Sequence, residues 1–281
     1  MVAPSSSPSS LQTVPHRLTP AQVEEYHRQG YFLPAEPVFP AEKFNGLKNY
    51  FEGLLDDLDN GTRPELMDVP HFQYPDLFQW LFSDEVLGLV EPILGPDLAL
   101  FSSHFICKPH GNGKRVPWHE DSAYWRGMLD PMEVVTVWLA IDPSKKENGC
   151  MYVVPRTHNT GKKGFSDYED ISKEAAVFPT EITMTQRNDA AAVAVELDAG
   201  YCSLHDGRLI HGSPPNTSPL RRCGYTMRYI STRSKLNKKD FPWHQIYLAK
   251  GKNLGGNEYA DPSKAYNELA RFRAKHGKNG H

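Results

Sequence analysis

The chain has 281 residues, of which 39% are hydrophobic and 23% are charged, an ordinary composition for a soluble globular protein with a buried core. Its formal net charge of −3 supplies neither the basic field that favours nucleic acid nor a polybasic membrane-binding stripe. No apolar run approaches the roughly 20 residues that span a bilayer. Together with the net charge, this means that neither nucleic acid nor a membrane is expected as a partner.

The start of the chain and its cysteines favour a cytoplasmic protein. Residues 1–17, MVAPSSSPSSLQTVPHR, lack the charged start and the apolar stretch of a signal peptide, and their Ser and Pro content predicts a flexible tail. The cysteines are dispersed and form no CxxC pair, which predicts free thiols in a reducing compartment. They are Cys107, Cys150, Cys202 and Cys223.

The rest of the chain, residues 18–281, is expected to form one domain that begins with helices. Thr19 followed by proline predicts the start of a helix that ends near Gly30. A second helix is predicted over 40–61 and a third over 75–93, because their apolar residues recur at helical spacing. A further, exposed helix is predicted near the C-terminus.

The middle of the chain changes to short β-rich runs separated by Gly, Pro, Asn and Asp. These runs are 97–109, 133–142, 150–155, 200–207 and 224–233. Many short strands predict a sandwich or barrel, and helices before them predict an α+β domain with a mainly β core. Residues 156–195 are long, polar and irregular, a pattern more typical of a functional lid than of a simple connection.

The stretch PWHEDSAYW places His119 and Asp121 two residues apart. On a strand these residues point to the same side, so an imidazole nitrogen and a carboxylate oxygen would face one point, with Glu120 turned away. An HxD pair is frequent by chance, and a structural hydrogen-bonded pair is the alternative interpretation. Further residues must therefore support a metal site.

A third ligand is available in the stretch HDGRLIHGSPPNTS. His211 is preferred over His205 because it is followed by GS and, eleven residues later, by Arg222. Two histidines and one carboxylate can hold one face of an iron(II) ion and leave three positions open for reactants. A planar guanidinium suits a carboxylate held bidentately, and the spacing favours Arg222 over Arg221 for this role.

Three stretches, WHEDSAYW, VVTVWLAIDPSKKENGCMYVVPRTH and HGSPPNTSPLRR, resemble the phytanoyl-CoA dioxygenase family of iron(II)/2-oxoglutarate oxygenases, over about 98–229. The resemblance implies a double-stranded β-helix, a cupin-like jelly roll of two sheets with the N-terminal helices packed on one of them. It implies His119, Asp121 and His211 as the catalytic iron ligands.

The resemblance also implies a site for the cosubstrate. Arg222 would bind the distal carboxylate of 2-oxoglutarate, and Ser213 would support that carboxylate or the nearby backbone. Lys108 would reach the cosubstrate, and Trp138 would form a wall of the pocket. A surface lysine and an ordinary core tryptophan are the alternative interpretations of the last two residues.

The candidate substrate-binding residues are Arg126, Arg228 and His104. Arg126 lies where the chain leaves the predicted metal strand, although a surface arginine is the alternative. Arg228 shares strand parity with Arg222 and His104 shares it with Lys108, so both are expected to point into the barrel, although an exposed sheet face would give the same pattern in the strand of His104. The two arginines favour a small anionic substrate, such as a carboxylate or a phosphonate.

The implied activity is hydroxylation of a C–H bond of a small molecule, with succinate and CO₂ formed from 2-oxoglutarate. Iron(II), 2-oxoglutarate and O₂ are the implied cofactor and cosubstrates, and ascorbate is expected to stimulate turnover. Halogenating relatives have a small residue where this chain has Asp121, so hydroxylation is favoured. A cupin-like metal protein with lyase, isomerase or binding function is the alternative. The substrate and the oligomeric state are not fixed by the sequence.

Overall fold

A computed structural model describes residues 17–58, 63–159, 165–172, 174 and 176–276, so the predicted flexible tail lies almost entirely outside the described residues. The helices are α1 (Pro20–Gln29), α2 (Ala41–Asp56), α3 (Phe78–Leu81), α4 (Asp84–Leu94), α5 (Asp121–Tyr124) and α6 (Glu268–His276). Among the described residues, no helix combines the length and the apolar character needed to cross a bilayer.

The strands follow each other closely through the middle of the chain. They are β1 (Tyr31–Phe32), β2 (Met67–Asp68), β3 (Leu98–Lys108), β4 (Val116–His119), β5 (Leu129–Asp130), β6 (Val134–Ala140), β7 (Met151–Val153), β8 (Tyr168–Asp170), β9 (Thr180–Ile182), β10 (Val193–Val195), β11 (Cys202–Asp206), β12 (His211–Ser213), β13 (Arg222–Ser231), β14 (Lys235–Leu236) and β15 (Tyr247–Lys250).

Two antiparallel sheets form the predicted jelly roll. The major sheet has the order β1-β11-β6-β13-β3-β15, with β2 also paired to β3, and the minor sheet has the order β10-β7-β12-β4. Two further two-stranded sheets, β5 with β14 and β8 with β9, lie outside these sheets. Side chains of β6 in the major sheet pack with side chains of β7 in the minor sheet, so part of the core lies between the two sheets.

The N-terminal helices cover the other face of the major sheet, as predicted. Val135, Val137 and Leu139 of β6 belong to one buried cluster with residues of α2 and α4. Trp138 and Ala140, their neighbours of opposite parity, pack toward the minor sheet. Alternate side chains of β6 therefore face opposite layers, the helices on one side and the minor sheet on the other. That residues 18–281 form a single domain stays a prediction, supported by this packing.

Local signals explain where the helices begin and end. The Thr19 side chain accepts a hydrogen bond from the Gln22 amide, and Gly30 closes α1 with φ +83°, a conformation that favours glycine. The prediction of one continuous helix over 75–93 is wrong, because the chain breaks between α3 and α4. Ser83 has an extended backbone there (φ −71°, ψ 147°), and two acidic residues open the first turn of α4, which stabilises a new helix start.

Replacing Phe51 by alanine tests the contact between α2 and the major sheet. Phe51 is 0% exposed, and its ring lies 4.9 Å from Phe105, which stacks on Tyr225 at 3.9 Å. We expect Phe51→Ala to lower the free energy of unfolding by about 3–5 kcal/mol, because it leaves a cavity at this contact. Urea denaturation measures the loss.

Met184→Ala is the control, because Met184 is 71% exposed and its removal should change the free energy of unfolding by no more than about 0.5 kcal/mol. If helices and barrel form one domain, circular dichroism and tryptophan fluorescence will report the same shifted transition for Phe51→Ala. Two separate transitions would argue against a single domain.

Candidate active site

The segment that carries His119 and Asp121 is only partly a strand. His119 is the last residue of β4, Glu120 is extended (φ −112°, ψ 128°), and Asp121 is the first residue of α5. The prediction that both side chains share the face of one strand is therefore wrong in its local structure. They nevertheless approach each other, since His119 Nε2 lies 3.5 Å from Asp121 Oδ1 across the turn.

Strand pairing brings His211 to the same place. β12 lies antiparallel to β4 with His211 directly opposite His119, and the two ring centroids are 4.1 Å apart. His211 Nε2 lies 3.9 Å from Asp121 Oδ1. One potential ligand atom from each of the three residues falls within 4.8 Å of the others, and all three side chains are buried.

Backbone carbonyls that accept hydrogen bonds determine which nitrogen of each histidine ring carries the hydrogen. Nδ1 of His119 lies 2.8 Å from the Pro117 carbonyl, and Nδ1 of His211 lies 2.9 Å from the Leu209 carbonyl. A carbonyl only accepts, so in the neutral rings each Nδ1 carries the hydrogen and each Nε2 keeps its lone pair. Two lone pairs and a carboxylate oxygen then converge without a donor between them, which is the donor set that suits a divalent metal ion.

The protonation states of these groups agree with metal binding. Burial and the neighbouring His119 ring hold the pKa of His211 well below its usual value, which favours the neutral, ligating form. Burial opposes ionisation of Asp121, but the Arg228 guanidinium holds the pKa of the Asp121 carboxyl well below its ordinary value. The aspartate therefore stays ionised.

His205, the alternative ligand, lies beside the triad and outside it. Its Nε2 is 3.8 Å from Asp121 Oδ2, the oxygen that does not face the other two histidines, and its ring centroid is 4.8 Å from that of His211. The group of residues close enough to share a metal ion comprises His119, Asp121 and His211 and leaves His205 out. His205 is buried, and neither ring nitrogen has a hydrogen-bond partner among the described residues.

Arg222 begins β13, two residues earlier than predicted, and its guanidinium is buried. It donates to the Gly149 carbonyl at 2.6 and 3.1 Å and to Ser213 Oγ at 3.1 Å, and it lies 5.3 Å from the Trp138 ring. Among the described residues no carboxylate pairs with it. Burial lowers the pKa of Arg222 to about 10, so the side chain remains a cation at neutral pH.

Lys108 lies directly across from Arg222 in the β3–β13 register and is also buried. Its ammonium donates to the Pro214 carbonyl and lies 3.5 Å from the Ser213 carbonyl. Burial, followed by the nearby Arg222 charge, holds the pKa of Lys108 well below its usual value. Unlike Ser213 and Trp138, Lys108 does not line the central cavity.

Arg221 points away from the site. It pairs with Glu52 of α2 at 2.6 and 2.8 Å and with Asp142 at 2.8 and 2.9 Å. The preference for Arg222 over Arg221 as the residue facing the cavity therefore agrees with the geometry. Arg221 instead joins the helical layer to the sheet.

Two of the three candidate substrate-binding residues line the cavity, and the third does not. His104 and Arg228 line the same cavity as the His119–Asp121–His211 triad. Arg228 donates to Asp121 Oδ2 at 3.2 Å, and His104 Nε2 lies 2.9 Å from the Glu65 carbonyl. Arg126 is exposed, lies against the Phe165 ring at 4.5 Å and does not line the cavity.

Sequence reasoning missed several residues that line the cavity, among them Glu65 and Phe178. Glu65 is buried in a short 3₁₀ turn before β2 and is held by Arg63 at 2.6 and 3.0 Å. No local pattern marks it, since its position depends on pairing between distant segments. Phe178 lies in the predicted lid and approaches the His119 ring edge-on at 5.5 Å. The irregular composition of 156–195 was the available signal for the segment, though not for this residue.

The predicted lid, residues 156–195, is hydrogen-bonded to Glu120, which lies between the candidate ligands His119 and Asp121. Glu120 Oε1 accepts a hydrogen bond from the Ser166 amide at 2.6 Å, and the Glu120 amide donates to Tyr168 Oη at 3.1 Å. Glu120 is therefore turned away from the cavity, as predicted. It links the metal-facing segment to the start of the segment that covers the cavity.

Comparison with known proteins places this arrangement in a family. The chain is 27% identical over 175 residues to a phytanoyl-CoA dioxygenase domain-containing protein 1 homolog of Dictyostelium discoideum, covering 62% of each protein. It is 28% identical over 170 residues to a probable alpha-ketoglutarate-dependent hypophosphite dioxygenase of Stutzerimonas stutzeri, covering 58% of this chain and 57% of that one. The matched region thus spans less than two thirds of either relative.

A solved structure shares the fold. The ectoine dioxygenase EctD from S. alaskensis, determined with 2-oxoglutarate and 5-hydroxyectoine, superimposes with a TM-score of 0.65 and 21% identity, covering 90% of this chain and 94% of that one. The family model described as phytanoyl-CoA dioxygenase (PhyH) matches residues 18–224, which is most of the chain. The protein therefore belongs to the phytanoyl-CoA dioxygenase (PhyH) family.

Proposed function

We propose that this protein is an iron(II)- and 2-oxoglutarate-dependent dioxygenase that hydroxylates a C–H bond of a small molecule and releases succinate and CO₂. One observation carries the proposal: a buried His119–Asp121–His211 donor set and the buried Arg222, which has no carboxylate partner among the described residues, line one cavity. The family and the alpha-ketoglutarate-dependent relative support the same activity.

The triad would hold the iron through His119 Nε2, Asp121 Oδ1 and His211 Nε2. Iron bound in this way supplies the activation of O₂ that couples decarboxylation of 2-oxoglutarate to oxidation of the substrate. The residues themselves supply orientation. The Pro117 and Leu209 carbonyls fix both rings in the ligating tautomer, so little rearrangement is needed when metal arrives.

Arg222 would bind the distal carboxylate of 2-oxoglutarate. A buried cation without a counter-charge is unfavourable by several kcal/mol, and an incoming carboxylate removes that penalty. Ser213 Oγ is already 3.1 Å from the guanidinium and can share the carboxylate, while the Trp138 ring limits the space beside it. A lyase or isomerase that uses no oxo-acid would leave the Arg222 charge without a function, which favours the oxygenase.

The charges around the cavity favour an anionic substrate. Two guanidinium groups, from Arg222 and Arg228, line the cavity with two carboxylates, from Glu65 and Asp121. Glu65 is already neutralised by an ion pair with Arg63, which does not line the cavity. A ferrous ion and a 2-oxoglutarate dianion cancel each other, so a positive charge remains for a carboxylate, phosphonate or phosphinate group. The similarity to a probable hypophosphite dioxygenase supports this substrate class.

Removing one ligand tests the metal centre. We expect anaerobic protein with iron(II) to show a visible absorbance on addition of 2-oxoglutarate, and to form succinate in the presence of O₂ and ascorbate. His119→Ala and Asp121→Ala should lose the absorbance and at least about 100-fold in succinate formation, because two donors do not hold the ion. The exposed His110→Ala is the control. Full turnover by Asp121→Ala would rule out the assigned triad.

The adjacent arginines offer a matched pair of variants. Arg222→Met should raise the KM for 2-oxoglutarate by about 10–150-fold, the loss of a charge-assisted hydrogen bond of about 1.5–3 kcal/mol. Arg221→Met removes an identical group from the opposite side of the chain, where it binds Glu52 and Asp142, and should leave that KM unchanged. Equal KM values for the two variants would show that the carboxylate binds elsewhere.

A screen of substrate pairs tests the anion preference. Small carboxylates, amino acids, phosphonates and acyl-CoAs are assayed for stimulated succinate release, each acid beside its uncharged amide or ester. We expect the acid of the best pair to exceed its neutral counterpart by at least about tenfold, because the excess positive charge attracts it. Preference for the neutral member throughout would contradict the anionic substrate class while leaving the oxygenase activity intact.

A further inference from the structure

Four neighbouring strands of the major sheet place one row of side chains beneath Asp121. The register aligns Ser102 of β3 with Arg228 of β13, Arg228 with Thr136 of β6, and Thr136 with His205 of β11. Because these residues are direct cross-strand neighbours, they lie on the same face of the sheet. This face is the one that carries the cavity.

Three members of the row approach the same carboxylate oxygen. Arg228 Nε donates to Asp121 Oδ2 at 3.2 Å, Thr136 Oγ1 donates to it at 3.5 Å, and His205 Nε2 lies 3.8 Å from it. Oδ1 has different neighbours, the Nε2 atoms of His119 and His211. The two oxygens of Asp121 are thus separated, with Oδ2 facing the sheet and Oδ1 facing the histidines.

The Arg228 side chain is itself held in place. Its Nη1 donates to Ser102 Oγ at 3.4 Å, and its guanidinium carbon lies 5.3 Å from the Trp125 ring centroid, within reach of a cation–π contact. The β3–β13 register shifts immediately after Arg228, between Arg228 and Tyr229. Irregularities of this kind re-aim a side chain in many sheets, often beside active sites.

We propose that Arg228, Thr136 and His205 are positioning residues that hold Asp121 Oδ2 and so keep the aspartate a single-oxygen ligand. The inference rests on the proposed function. A carboxylate that bound through both oxygens would occupy a second position on the metal. Holding Oδ2 on the sheet keeps that position for the cosubstrate, the substrate or O₂. In this role Arg228 positions a metal ligand, whereas the sequence predicted that it binds the substrate.

His205 fits this role better than it fits that of a ligand. It is buried, and Asp121 Oδ2 is the group that its Nε2 faces, although no hydrogen bond to either ring nitrogen is formed among the described residues. With its hydrogen on Nε2, the His205 ring would present a donor to Oδ2 from a distance of 3.8 Å. Partners of this kind that orient a metal ligand typically change metal affinity by about 10–100-fold when removed.

Metal affinity and the Co(II) spectrum test the proposal without any turnover. Purified metal-free protein is titrated with Co(II) by calorimetry, and the visible absorption of the complex, which depends on coordination geometry, is recorded. We expect Arg228→Met to weaken Co(II) binding by about 10–100-fold and to alter the spectrum. Thr136→Val and His205→Leu should each weaken it by about 2–10-fold, and Arg228→Lys should recover part of the loss.

Thr226→Val and Arg221→Met are the matched controls. Thr226 lies two residues before Arg228 on the same face of β13 and also lines the cavity, but its hydroxyl donates to the His104 carbonyl instead of to Asp121. Both controls should bind Co(II) with wild-type affinity and spectrum. Because Arg228→Met removes the cationic partner of a buried carboxylate, thermal denaturation is measured first. If that variant does not fold, the Thr136→Val and His205→Leu results decide.

The outcomes separate this inference from the proposed function. If the wild-type protein binds Co(II) and all folded row variants bind it equally well with an unchanged spectrum, the positioning role is overturned while the oxygenase proposal stands. If the wild-type protein does not bind Co(II) or iron(II) at all, the proposed function fails, and the positioning role fails with it.

Discussion

The pairing of β4 with β12 is the constraint on which the site depends. It sets His119 opposite His211, so two imidazoles about ninety residues apart in the chain meet with ring centroids 4.1 Å apart. Each ring is locked by the carbonyl two residues before it, Pro117 for one and Leu209 for the other. The same hydrogen bond on two facing strands leaves the Nε2 atom of each ring directed at Asp121. The relative placement of the two histidines therefore follows from ordinary strand pairing.

The major sheet supplies the positively charged side chains that line the cavity. β13 places Arg222 and Arg228 on one face, separated by Gly224 and Thr226, so one guanidinium reaches Ser213 and the other reaches Asp121. A side chain at Gly224 would overlap the Trp138 ring, which is why glycine is required at that position. The ring can then lie beside Arg222 and close that side of the cavity.

Glu120 connects the metal-facing residues to the covering segment. Its neighbours on both sides face the cavity, while its own carboxylate binds the Ser166 amide. Phe178, farther along the same segment, lies against the His119 ring. The covering segment is thereby tied to the strand that carries a candidate ligand, an arrangement that would exclude water in the proposed oxygenase. Loops fixed on a rigid scaffold are also where substrate selection is built.

The sequence by itself identified the residues that form the centre of the candidate site. His119, Asp121, His211 and Arg222 stand at spacings specific enough to be identified, and strand parity predicted that Arg228 and His104 point inward. These features are local, since they depend on residue type and on a period of two along a strand. They predict which groups the site contains.

Only the tertiary structure decided how those groups are used. The break before α4, the turn that puts Asp121 on a helix and the inward position of Glu65 follow from packing that short-range periodicity does not encode. The contact of Arg228 with Asp121 depends on the register of four strands, and a shift by one residue would turn its side chain to the other face. Register is fixed by burial across the whole sheet, so this assignment could not be made from the sequence alone.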